Sequence, residues 1–204
     1  MSESKRETAA GPRFWLWIDG VGGFLVCESA RVSVGQPTSG TEVDIPLLAD
    51  ISREHAWFVR EDDRYWIESR RGVRVAGKAT ASVMGLESNN VIELTDGVRL
   101  RFVRPHPLSA TARLEFVSHH RTSPAADGVL LLAGNCLLGP APTSHIQAPA
   151  WQQDVMLYRQ GTTLHCRYGG ELEIDGTSYR GSGPLAVGSR VVGADFCFRL
   201  ESAG

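Results

Sequence analysis

The stretch Asp50-Ile-Ser-Arg-Glu-His-Ala-Trp-Phe58 decides how this chain is read. It sets a Ser-Arg pair and a histidine directly before Ala56-Trp-Phe-Val59, an apolar run with strand character. It follows a loop-like segment rich in Gly, Pro, Ser and Thr that opens at Gly35. A hydroxyl and a guanidinium on a turn beside a rigid strand make a natural oxyanion or phosphate contact. The neighbouring segments and any recurrence of the stretch decide whether that chemistry is in use.

On either side the chain reads as short strands joined by turns. Upstream, Phe14-Trp-Leu-Trp-Ile18 and Phe24-Leu-Val-Cys27 flank a glycine-rich hairpin turn at Asp19–Gly23, and Arg31-Val-Ser-Val34 alternates polar and apolar residues. Pro46 keeps Val43-Asp-Ile45 out of a central strand position. Downstream come Arg64–Glu68, Val73–Val75, Val91–Leu94 and Val98–Val103, the last two joined by Asp96-Gly97. Pro105-His-Pro107 marks a linker. Further strands are expected at 112–117, 128–133, 136–138, 155–158, 163–167, 171–174, 191–192 and 196–200. No window carries a 3.6-residue period, and glycine stands at 22 of 204 residues, roughly 11% against a usual 7%. The expected class is all-β.

Length and charge bound the rest. A chain of 204 residues suits two domains of about 100 residues each. A net charge of −2 and a sequence pI of 6.3 argue against a nucleic-acid partner. The longest apolar run, Val129–Ala133, is too short to span a membrane, and Met1–Pro12 is a polar tail without a secretory apolar core. A cytoplasmic protein is expected. Cys27, Cys136, Cys166 and Cys197 lie far apart in apolar segments, as reduced buried thiols do, and their spacing offers no zinc site. No cofactor is expected.

The order of segments recurs. Ala56-Trp-Phe-Val-Arg60 matches Val155-Met-Leu-Tyr-Arg159 at an offset of 99 (159 − 60), and Tyr65–Ile67 meets Leu164–Cys166 at the same offset. Gly72–Gly77 meets Gly170–Gly176 with one residue added, and Ser33–Gly35 resembles Leu138-Gly139. A period near 100 is a tandem duplication. The expected division is a disordered tail over 1–12, a β-sandwich over 13–104, a linker over 105–111 and a second sandwich over 112–204.

A glycine-led loop, Ser52-Arg53-x-His55 before a strand, and the Gly72–Gly77 hairpin resemble the forkhead-associated (FHA) domain, a β-sandwich that recognises phosphothreonine peptides with its loops. The likeness covers residues 13–104 well; residues 112–204 follow it by strand order, as a degenerate copy. The family pattern is a Gly-Arg pair, Ser-x-x-His, then Asn-Gly. Here the first is Gly35-Gln36, the second is intact as Ser52–His55, and the third is Arg71-Gly72. The resemblance therefore implies a phosphopeptide surface of Gln36, Ser52, Arg53, Arg71 and Gly72, with Gly35 and His55 supporting the loops. It also implies loss of the phosphate-gripping arginine and of the asparagine that holds the ligand backbone. A hydrogen bond to a charged group contributes about 1.5–3 kcal/mol, so one lost contact weakens a ligand about tenfold or more. Arg53, Arg70 and Arg71 stand where replacement charge could come from.

Other motifs carry less. Ser52 and His55 have no nucleophile elbow or orienting acid beside them, so no catalytic residue is expected. Asp19–Gly23 lacks the Lys-Ser/Thr of a phosphate-cradling loop. His119-His120 read as solvated. In the second copy Trp151, Gln152 and Asp154 replace Ser52, Arg53 and His55, and Trp151 is either a contact anchor or packed between domains. Two functions are expected: a non-enzymatic adaptor for a phosphoprotein, or a phospho-independent scaffold that keeps the fold. Thr8 offers an intramolecular ligand if phosphorylated.

Overall fold

The structure, a computed structural model, describes residues 10–38, 42–80 and 82–203. Thr8 and the rest of residues 1–9 lie outside them. Gly11 and Pro12 are fixed rather than part of a loose tail: Gly11 N donates to Asp44 Oδ1 (2.6 Å) and Pro12 O accepts from Glu28 N (3.0 Å).

The described residues are all-β. The strands are β1 (Arg13–Ile18), β2 (Gly22–Cys27), β3 (Arg31–Gly35), β4 (Ile45–Pro46), β5 (Ala56–Glu61), β6 (Arg64–Ser69), β7 (Val73–Val75), β8 (Lys78–Thr80), β9 (Val83–Leu86), β10 (Val91–Thr95) and β11 (Val98–Val103), followed by β12 (Ala112–Phe116), β13 (Gly128–Leu131), β14 (Asn135–Gly139), β15 (Ile146–Gln147), β16 (Val155–Gln160), β17 (Thr163–Ile174), β18 (Thr177–Leu185), β19 (Arg190–Val192) and β20 (Cys197–Ser202). The expected breaks mostly hold. Residues 163–167 and 171–174, however, join into the single strand β17, with a register shift at the intervening glycines.

Two sheets form. One has five strands in the order β4-β3-β5-β6-β9. The other has fifteen, running β15-β14-β16-β17-β19-β20-β1-β2-β13-β12-β11-β10-β7-β8, with β18 beside β17. The proline-bearing β4 sits at a sheet end, where a missing N–H costs nothing. Side chains of the five-stranded sheet (Val34, Phe58, Ile67) meet those of one half of the large sheet (Ile92, Leu100, Phe102) in a first core. The other half of the large sheet surrounds a second core, built from Leu138, Leu157, Cys166, Ile174, Val191 and Phe198.

Pairing registers confirm the repeat at the level of strands. The pairs Trp57↔Glu68, Tyr65↔Leu86, Val75↔Lys78 and Ile92↔Val75 recur as Met156↔Arg167, Leu164↔Leu185, Ile174↔Thr177 and Val191↔Ile174, each residue displaced by 99 (156 − 57, 185 − 86, 191 − 92). No residue is added in this span. The counterpart of Gly72 is Glu171 (171 − 72), which corrects the match to Gly170.

The first hairpin of each repeat is built into the other repeat. In the first repeat, β11 pairs with β12, and β12 with β13. In the second, β20 pairs with β1, and β1 with β2. The register Phe102↔Leu114 matches Leu200↔Leu16, so β12 stands to β11 as β1 stands to β20. The two hairpins then join through the parallel pair β2–β13. The expected boundary at 105–111 thus falls between hydrogen-bonded neighbours of one sheet. A physical reason lies in composition. Strands buried on both faces read as continuous apolar runs. Phe14, Leu16, Phe24, Val26 and Leu130 point into the second core, while Trp15, Leu25, Cys27, Val129 and Leu131 point into the first.

The linker is pinned. Tyr65 Oη donates to Ala110 O (2.8 Å), Thr111 Oγ1 to Asn135 O (2.5 Å) and Ala133 N to Thr111 Oγ1 (2.9 Å). These bonds tie residues 110–111 to both repeats.

Candidate functional site

At one end of the first repeat three segments meet. The end of β3 supplies Gly35 and Gln36, the approach to β5 supplies Ser52–His55, and the β6–β7 turn supplies Ser69–Gly72. Gln36 N donates to Ser52 O (3.1 Å), and His55 N donates to Val34 O (2.9 Å). Gly35 is required here. A Cβ on it would lie 1.7 Å from Arg53 O and 2.9 Å from Ser52 O, so any side chain would push the Ser-Arg segment off the strand.

His55 holds this end together. Its ring is buried, and Nε2 lies 2.7 Å from Leu94 O, to which it donates. Its carbonyl accepts from Ser69 Oγ (2.9 Å), and the same hydroxyl accepts from Arg71 N (3.2 Å). Burial lowers the pKa of the imidazole, against backbone hydrogen bonding to Leu94 and Gly72 that raises it; the Arg71 charge lowers it further. A buried histidine with Nε2 engaged on Leu94 O is a strut between the loop and the strand behind it. Ser69 was not singled out in sequence. Its signal is a small polar residue at an inward-facing place of the alternating strand β6.

Around this strut the candidate contacts face outward. Gln36, Arg53 and Arg71 are exposed and Ser52 is half-buried. Among the described residues their side chains make no hydrogen bond or ion pair, so each is free to meet a ligand. Asp50 and Glu54 lie in the same segment as Ser52 and Arg53. Arg70 does not join Arg53 and Arg71. Its guanidinium lies 5.7 Å from the ring centre of Trp57, which Arg31 also approaches, at 4.8 Å. A cavity of about 230 Å³ opens beside the strut, with Gly72 and Leu94 in its wall next to Glu93 and Asp96.

The matching end of the second repeat is closed. Trp151 is neither an exposed anchor nor wedged between the repeats; it packs in the second core, 5.2 Å from Phe196. Gln152 N donates to Asp195 Oδ2 (2.5 Å). Gly139 keeps the close approach of Gly35: a Cβ there would lie 1.9 Å from Asp154 Oδ1.

The remaining titratable groups offer no centre. Burial raises the thiol pKa of Cys27, Cys136 and Cys166, the last to about 12, and all four cysteines are free. Among the described residues no group of three or more His, Cys, Asp or Glu could hold a metal, and no helix is long and apolar enough to cross a membrane. Comparison with protein-family models, curated proteins and solved structures finds no match.

Proposed function

We propose that this chain is a non-enzymatic protein-interaction module of forkhead-associated type, and that the loop end of its first repeat takes a phosphothreonine peptide. One observation carries this reading. Gln36, Ser52, Arg53 and Arg71 stand on the segments around one buried histidine, and among the described residues none of their side chains is used inside the fold. Phosphothreonine brings about −1.5 to −2 charges and three strong acceptors. Ser52 and Gln36 would donate neutral hydrogen bonds, and Arg53 and Arg71 would supply the charge that Gln36 lacks. His55 donates through Nε2 to Leu94 O, which holds its ring in the fold, and it is assigned a supporting role in this reading. The neighbouring cavity is roomy enough for a ligand side chain, and its wall carries Asp96 beside the Arg74–Glu93 ion pair (3.8 Å).

A second reading rests on Asp50 and Glu54. Two carboxylates in the same segment oppose a phosphate, and a phospho-independent partner would not meet that repulsion. A screen of matched threonine and phosphothreonine peptide pairs separates the two. The first reading expects binding that disappears without the phosphate and falls about tenfold or more in Arg53→Ala and in Arg71→Ala. Equal binding of both members of a pair would leave the scaffold reading standing instead.

A further inference from the structure

A cavity of about 570 Å³ lies away from the loop end. It lies at the far end of β6 from Ser69, between β9, which ends the five-stranded sheet, and β8, which ends the large one. The two edge strands meet where Thr80 Oγ1 donates to Val83 O (3.2 Å), and the cavity opens between Lys78 and Leu86. Among the described strands nothing pairs with their outer edges.

We propose that this groove binds an extended acidic peptide, which adds to the free edge of β9 as a further strand. An unpaired edge is a template for an incoming backbone, and natural proteins block edges that are not in use with proline, charge or cover. Gly85 leaves this edge open: a Cβ there would meet nothing within 4 Å. The wall offers apolar surface from Trp66, Met84 and Leu86 for alternate side chains of the guest. The rim is cationic. Arg64, Lys78 and Arg104 line it against the single acid Glu87, in a chain whose net charge is −2. None of the three cations has an ion-pair partner among the described residues. Arg104 donates through Nη2 to Ser109 O (3.1 Å), while its Nε is buried without a partner. Charge complementarity therefore selects an acidic guest.

The second repeat shows the same edge shut. Arg64, Lys78 and Gly85 correspond to Thr163, Thr177 and Pro184 at the offset of 99 (184 − 85). Two cations become neutral, and the open glycine becomes a proline that removes the donor N–H. The counterparts of β8 and β9 fuse into β18, which pairs along β17, so the strands no longer part. Only the first repeat keeps both the gap and the charge.

The test uses the full chain and two fluorescein-labelled probes, the capped peptides EVEVEVE and KVKVKVK. Anisotropy should show binding of the acidic probe alone, weakened at least about tenfold by the double change Arg64→Glu with Lys78→Glu, and similarly by Gly85→Pro. Amide hydrogen exchange should slow at residues 83–86. Ser52→Ala and Arg53→Ala should leave this binding unchanged, which separates it from the loop end. Arg64 and Lys78 are exposed, so their reversal keeps the test valid should Gly85→Pro fail to fold. Equal binding of the two probes, no binding of EVEVEVE at millimolar concentration, or protection elsewhere than 83–86 would overturn the proposal. So would a labelled oligothymidylate binding as tightly as the acidic peptide.

Discussion

Ser52 and Trp151 hold matching positions, 99 residues apart (151 − 52), and serve opposite ends. Ser52 is half-buried and its hydroxyl has no partner among the described residues; Trp151 is 5% exposed and packed on Phe196. One repeat leaves its loop end available and the other closes it with a large ring. A second exchange accompanies the first. Asp44 and His145, each directly before the short strand at the sheet end, accept from matching amides of β3 and β14: Asp44 Oδ2 from Ser33 N (2.7 Å), and His145 Nδ1 from Leu137 N (2.9 Å). At the loop end the types reverse, His55 in the first repeat and Asp154 in the second. The frame tolerates either residue where an acceptor suffices. Only the first repeat places the imidazole where it can donate to the strand behind the loop.

The largest effect should come from the ring that closes the second repeat. Trp151→Ala removes a buried indole and should cost about 3–5 kcal/mol in urea unfolding. A cost below about 1 kcal/mol would mean that Trp151 is not a core residue, and the contrast with Ser52 would fail.

The exchanged hairpins give a sharper test of how the repeats differ from independent tandem units. Leu16 and Leu114 are matched residues, both fully buried, the first in the second core and the second in the first core. Each change to alanine should cost about 2–5 kcal/mol. In hydrogen exchange, Leu16→Ala near the N-terminus should loosen β19 and β20 before β10 and β11, and Leu114→Ala should do the reverse. The opposite pattern would return each hairpin to its own repeat.

Acid should act more strongly on the second repeat. Burial, with the charges of His106 and Arg113, lowers the His145 pKa from 6.5 to about 4, and burial lowers that of His55. An unfolded chain takes up these protons first. The stability that depends on neutral imidazoles is therefore complete above about pH 6.5 and is lost as pH falls from there towards 4. Protonation of His55 leaves its donation to Leu94 O intact, whereas protonation of His145 Nδ1 breaks the bond from Leu137 N. The urea midpoint should be flat from pH 8 to 7 and fall below it. His145→Asn, whose side-chain oxygen can still accept from Leu137 N, should flatten that fall more than His55→Asn does.

Much of this could be read from the residues. The runs Phe14–Ile18 and Val129–Ala133 read correctly as strands, and their unbroken apolar character signals burial on both faces. It does not say which hairpin joins which sheet, because both hairpins carry the same pattern; only the pairing with β11 and β20 decides. β8 and β18 escaped because edge strands rich in Lys, Thr, Ser and Gly bury too little to alternate clearly, and β9 because Val83-Met-Gly-Leu86 is too short to show a period. At the loop end, the grouping of Gly35, Ser52, His55 and Gly72 was implied by the resemblance to the forkhead-associated pattern and not by spacing alone. Ser69 and Leu94 were not implied, since their roles come from hydrogen bonds across strands. Arg70 was misleading, because in sequence it adjoins Arg71, yet the alternation of the strand end turns it to Trp57.

The smallest change in stability should come from Ser52 itself, and that is what makes it informative. Ser52→Ala removes a hydroxyl with no partner among the described residues, so the unfolding free energy should stay within about 0.5 kcal/mol of the parent. Any loss of peptide binding then belongs to the contact and not to the fold. If the hydroxyl donates to a phosphate, the phosphothreonine peptide should bind about tenfold more weakly and its unmodified twin no differently. A drop in stability comparable to that of Trp151→Ala would show that Ser52 is as structural as its counterpart, and the two loop ends would then differ in size alone.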